Sequence, residues 1–230
     1  MESAQQNYVV LIGDISGSRQ LTGRNRYQSQ LYVKSAIVQI NEQFRGQLEA
    51  PLTISKGDEF QGLLTQLQPA LEIMLYMEKL TFPVPLRFGI GVGPVYKMGG
   101  SLPIEMDGPA FHRANAALNL AKKKKVAYRI ETPWPEEDQI LNVVFRLMSA
   151  IKSRWNERHF RLFWAYKEFG TYREVAQLEG ITPQAVCDAL KNCRALDVRA
   201  AEEDLLAYLS NRFTHLLQSS SELSETAASR

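Results

Sequence analysis

Seven residues near the start, Tyr8-Val-Val-Leu-Ile-Gly-Asp14, constrain this chain more than any other stretch. The run is continuously apolar, too short for a buried helix, and closed by a Gly-Asp pair. It therefore predicts a strand buried on both faces, with an acid set at its end.

The segments that follow read as the remainder of one sheet. Residues 24–47 carry Tyr27, Leu31, Ala36, Ile37, Ile40 and Phe44 at helical spacing, as one long helix or two abutting ones. Leu52-Thr-Ile-Ser-Lys56 and Glu59-Phe-Gln-Gly-Leu-Leu64 are strands about Gly57-Asp58, a hairpin signal that puts a second acid at the tip. Residues 68–80 repeat as a helix ended by Pro83 and Pro85. In the strand Leu86-Arg-Phe-Gly-Ile-Gly-Val92 the glycines admit close approach of backbone or ligand, and Gly93-Pro94 and Gly99-Gly100 punctuate a following hairpin. A helix over 109–123 and a strand over 126–131 close the series. Strand–helix–strand–strand–helix–strand is the split βαβ order, so 8–131 is expected to be a ferredoxin-like α/β (α+β) domain with an added strand, helix and strand.

Thr132-Pro-Trp-Pro-Glu-Glu-Asp138, with two prolines and an acidic run, is the expected linker. Residues 139–217 carry only helical patterns, and 218–230, rich in Ser, Glu and Ala, are expected to be a disordered tail. Two domains suit 230 residues with 45% apolar and 23% charged content. A net charge of +2 excludes a strongly basic nucleic-acid binder, so any basic face must be local. Two cysteines, Cys187 and Cys193, exclude a disulfide scaffold. The start lacks a secretory layout and no apolar run nears the roughly 20 residues of a membrane span, so the expected location is cytoplasmic, with no membrane partner.

Two readings of Asp14 and Asp58 stand. Carboxylates on neighbouring strand ends suit Mg²⁺ or Mn²⁺, which take much of their shell from water and substrate phosphates. Alternatively, Asp14 caps the next segment and Asp58 is the residue the turn demands.

Val10-Leu-Ile-Gly-Asp-Ile-Ser-Gly-Ser18, Ser55-Lys-Gly-Asp-Glu-Phe60 and Arg87-Phe-Gly-Ile-Gly-Val-Gly-Pro94 resemble, in order and spacing, three motifs of class III nucleotidyl cyclases. With Met106-Asp-Gly-Pro-Ala-Phe-His-Arg113 and the helical C-terminal part, nearly the whole chain resembles the SatD family of bacterial proteins. The cyclase likeness implies metal binding by Asp14 and Asp58 and a triphosphate facing the backbone of Ser16, Gly17 and Ser18. It also implies losses. A catalytic Asn and Arg fall on His112 and Ala116, and the adenine-reading lysine falls near Ile54, with Lys56 close by. Lys56, His112 and Arg113 are the side chains left to contact a nucleotide, the latter two by reaching phosphate oxygens. The run Lys122-Lys-Lys-Lys125 reads as a solvated helix end favoured by the helix dipole.

Downstream, Thr171-Tyr-Arg-Glu174 is a capping box, Gly180 a turn, and Thr182-Pro183 a second helix start. This is the grammar of a helix-turn-helix, with Ala185, Val186 and Leu190 inward. Thr182, Gln184 and Asp188 then lie on or near the face for a major groove, with Lys191 and Arg194 on phosphates. A helix-turn-helix used only for packing or dimerisation is the alternative. Aromatics from Phe160 to Phe169 cover more than one helix side, as core plus a partner-facing patch, and a homodimer is consistent with them.

The expectation is a nucleotide- or metal-responsive DNA-binding transcriptional regulator with a degenerate cyclase-like domain. The alternative is an active metal-dependent nucleotidyl cyclase or nucleotidyltransferase with a helical assembly domain.

Overall fold

The computed structural model describes residues 6–18, 22–97 and 102–213. Gly99-Gly100 and the 218–230 tail lie outside these residues. The chain divides into two compact units, one running through Val143 and taking up the chain again from Leu206, the other Val144–Leu205.

The first unit is built on β1 (Asn7–Ile15), α1 (Gly23–Gln43), β2 (Leu48–Lys56), β3 (Glu59–Leu64), α2 (Leu67–Thr81) and β4 (Leu86–Pro94). A small ribbon of β5 (Tyr96–Lys97) and β6 (Met106–Asp107) leads into α3 (Pro109–Lys124) and β7 (Tyr128–Glu131). The main sheet has the order β2-β3-β1-β4-β7. β1 is antiparallel to β3 and β4, and β7 is parallel to β4. This is the mixed sheet of a split βαβ unit extended by one crossover. β1 lies at its centre, which is why Val9, Val10, Leu11 and Ile12 are fully buried.

Strand alternation assigns the two faces. Val10 and Ile12 share a core with Ala110, Phe111, Ala114 and Leu118 of α3. The intervening side chains meet the face bearing Phe60 and Phe88, whose rings stack edge to face. On β4 the residues facing α3 are Gly89, Gly91 and Gly93. A Cβ on Gly91 would stand 2.2 Å from both Ala110 O and Ala114 N, and one on Gly89 2.3 Å from Ala114 O. The glycines let α3 lie directly on the sheet, and this approach is by backbone rather than by a ligand.

Both edge strands are held by an asparagine. Asn41 Oδ1 accepts from Leu52 N at 2.8 Å and its Nδ2 donates to Leu52 O at 2.9 Å. Asn142 does the same for Ile130, at 3.0 and 2.9 Å. Each satisfies a backbone pair that an edge otherwise offers to another chain.

Helix α4 (Pro135–Lys152) begins inside the segment expected to be a linker, because Pro135 suits a first helical position and Glu136, Glu137 and Asp138 complement the helix dipole. The division between units falls later, within α4. The second unit contains α5 (Glu157–Phe169), α6 (Tyr172–Glu179), α7 (Pro183–Asn192) and α8 (Ala195–Tyr208, as far as Leu205), around Leu162, Phe163, Val175, Val186, Leu190 and Val198. Among the described residues no helix is long and apolar enough to cross a membrane.

Candidate functional site

Asp14 is the penultimate residue of β1, with a side chain 13% exposed. In register it lies opposite Arg87. The pairing of Gly13 with Phe60, carried one step further, sets it opposite Glu59. Alternation turns it toward α3, where Lys122 Nζ stands 2.8 Å from Asp14 Oδ2 and 3.7 Å from Glu59 Oε2. Lys122, expected at a solvated helix end, is instead the centre of the acid site. The signal was present in the helical period: Lys122 follows Ala114 and Leu118 at i+8 and i+4 on the buried face.

Asp58 takes a different direction. With Ile15, Gln30, Val33, Lys34, Ile54 and Gly57 it lines a cavity of about 300 Å³ beside α1. Its Oδ2 is buried and accepts no hydrogen bond. An orphaned carboxylate oxygen suits a cation, but no group of three His, Cys, Asp or Glu side chains gathers to hold one among the described residues. A dication on Asp14 would meet the Lys122 ammonium. At about 4 Å and an effective dielectric near 20, that repulsion is roughly 8 kcal/mol, a large offset to the attraction of a ligating carboxylate. The ion pair and the separate setting of Asp58 do not fit a preformed metal centre shared by Asp14 and Asp58.

The other expected contacts fall into two places. Ser16 N donates to Pro85 O at 2.8 Å, and Gly17 takes a φ of 75° in the turn that follows β1. Ser16, Gly17 and Ser18 therefore stay at the Asp14 end of the sheet, as does the exposed Lys56, in register with Glu59. His112 and Arg113 do not. Arg113 Nη1 donates to Val92 O at 2.8 Å, and exposed His112 Nε2 lies 3.0 Å from Asp107 Oδ1. Val92 is five residues along β4 from Arg87, about 17 Å away, at the opposite end of the sheet.

In the helical unit, Thr182 Oγ1 accepts from Ala185 N at 3.2 Å and Gly180 turns at φ 66°. Thr171 Oγ1 accepts from Glu174 N at 3.3 Å, and its hydroxyl donates to the Glu174 carboxylate at 2.6 Å. Val186 and Leu190 are fully buried, while Thr182, Gln184, Asp188 and Lys191 are exposed on α7. Gln184 Nε2 donates to Asp188 Oδ1 at 2.8 Å, a bond that uses one of its two amide N–H groups and not its carbonyl oxygen. Arg194 is paired with Asp197 at 2.9 Å and Arg161 with Glu179 at 2.9 Å, so the exposed Arg154, Arg158, Arg173 and Lys191 are the more available cations. Of the aromatics, Phe163 is core and Phe169 is 42% exposed. Both cysteines are free and half-buried.

A family model, described as the SatD family, matches residues 8–205. The chain belongs to the SatD family. No curated protein matches this SatD chain. Solved structures similar to it include a bacterial light-regulated adenylyl cyclase, at 13% identity over 54% of this chain and 75% of that one, with a TM-score of 0.39. The adenylyl cyclase CyaB from P. aeruginosa is 19% identical over 53% and 74%, with a TM-score of 0.35. A regulator of polyketide synthase expression from Bifidobacterium adolescentis is 13% identical over 90% and 87%, with a TM-score of 0.25.

Proposed function

We propose that this SatD protein is a nucleotide-responsive DNA-binding regulator: a cyclase-like palm that binds a nucleotide without turning it over, joined to a helical unit that binds DNA. The observation that carries the DNA half is α7, whose buried Val186 and Leu190 fix a helix with Thr182, Gln184, Asp188 and Lys191 on its exposed side. A short preceding helix, a glycine turn and two threonine N-caps lead into that helix, the order of elements that a helix-turn-helix uses. Lys191 would hold a phosphate, with Arg158 and Arg173 adding local charge, while the Gln184 carbonyl would accept from a base edge. For the nucleotide half, Ser16 to Ser18 present a short turn beside Arg87, Lys56 and Lys122, a setting that suits phosphate oxygens. Loss of turnover follows from Ala116 where the cyclase likeness demands arginine, and from Lys122 in the acid site.

The test measures binding of labelled random duplex DNA at low salt, and of a panel of nucleoside triphosphates and dinucleotides, to wild type and Lys191→Glu. DNA binding that Lys191→Glu weakens, with unchanged nucleotide binding, supports the reading. No DNA binding at low salt removes the regulator half, and no nucleotide binding removes the sensing half. A metal-dependent enzyme is the second reading, favoured by the orphaned Asp58 Oδ2. Pyrophosphate release that Asp58→Asn abolishes would establish it.

A further inference from the structure

We propose that Lys122 is the resident cation of the palm: its ammonium takes the place of a divalent ion on the Asp14–Glu59 pair, so the site is metal-free as folded and becomes a metal site only when that ammonium is removed.

The two carboxylates are cross-strand neighbours on one face of the sheet, set there by the β1–β3 register. Side by side without a cation the two carboxylates would repel. Lys122 supplies the charge from 2.8 Å on Asp14 and 3.7 Å on Glu59. Its position is imposed by the backbone. Gly89 and Gly91 seat α3 against β4, and Lys122 lies one turn beyond Leu118, whose N would stand 2.5 Å from a Cβ on Gly89. The last turn of α3 is thereby held over the end of β1. Arg87, opposite Asp14 in register, adds a second positive charge at the same strand end. With Lys56 in register with Glu59, the chain's own cations at this strand end outnumber the two carboxylates, with no net attraction left for a dication.

The probe is Mn²⁺ alone, so the result does not depend on whether a nucleotide binds. Free Mn²⁺ is read by electron paramagnetic resonance in solutions of the full chain. Wild type is expected to bind weakly. Lys122→Met is expected to gain affinity by on the order of ten- to a hundredfold, since it removes a charge in contact with the site. Lys122→Arg is expected to behave as wild type, and Lys122→Met combined with Asp14→Asn to lose the gain. Lys122→Gln is the parallel variant should the methionine variant fail to fold, with circular dichroism as the check. Tight Mn²⁺ binding by wild type, equal affinity in Lys122→Met, or binding that Asp58→Asn abolishes and Lys122→Met leaves unchanged would each overturn the inference.

Discussion

Lys122 Nζ lies 2.8 Å from Asp14 Oδ2, joining the last turn of α3 to the end of the central strand. Asp14 is largely withdrawn from water and Lys122 about one-third exposed, so the pair is better shielded than a surface ion pair. A double-mutant cycle with Asp14→Asn and Lys122→Met, followed by urea unfolding, should give a coupling energy of about 1–2 kcal/mol. A coupling indistinguishable from zero would mean that solvent screens the contact.

Gly91→Ala should destabilise the first unit by about 1–3 kcal/mol or more, because its methyl group would meet Ala110 O and Ala114 N at 2.2 Å. Gly46→Ala is the control. Nothing lies within 4 Å of its added Cβ, so it should be neutral or stabilise by roughly 0.4–1 kcal/mol. The unfolding midpoint should fall in Gly91→Ala and hold or rise in Gly46→Ala, and equal shifts would refute the close seating of α3.

In the helical unit Glu202 is 1% exposed and bridges Lys152 Nζ at 2.8 Å and Lys167 Nζ at 2.5 Å. Glu202→Gln removes the carboxylate that the two ammonium groups share, one of them only 6% exposed. The expected loss is about 3–5 kcal/mol, measured by denaturant titration. Adding Lys152→Met should recover part of it, and a second substitution that made matters worse would contradict the account.

Burial pushes the Asp138 carboxyl above the usual range, against hydrogen bonds from Thr132 N and Oγ1 that act to lower it. Burial likewise raises Glu131, opposed by Arg129. A carboxyl whose folded pKa is raised binds its proton more tightly folded than unfolded. Its contribution is complete below the unfolded pKa and is lost as pH rises through the folded one. The melting temperature of wild type relative to Asp138→Asn should therefore fall as pH rises above the ordinary carboxylate range of about 4. A relative rise with pH would reverse the sign of the argument.

Much of this molecule was legible because its patterns are local. The apolar run ending at Asp14, the Gly57-Asp58 turn and the helical stretches before Pro183 each fix their own backbone. Asn41 and Asn142 were not legible as strand clamps, since their partners Leu52 and Ile130 are 11 and 12 residues away. The candidate site was half legible. Asp14 and Asp58 stand on the expected strand end and hairpin. The face each occupies depends on register, which puts Lys122 on Asp14 and directs Asp58 toward α1. His112 and Arg113 were grouped with Asp14 by motif, whereas α3 runs along the sheet and carries them to its other end.

The proposed function rests on coupling between a nucleotide and DNA, and the most direct measurement is the DNA dissociation constant with and without saturating nucleotide. Fluorescence anisotropy on a labelled duplex at fixed low salt reads both. A change of about 5-fold or more is expected with one nucleotide of the panel, the same factor appearing in nucleotide affinity when DNA is varied. Lys191→Glu should weaken DNA binding while nucleotide affinity in the absence of DNA stays the same. DNA binding indifferent to every nucleotide that binds the chain, or no DNA binding at all, would contradict it.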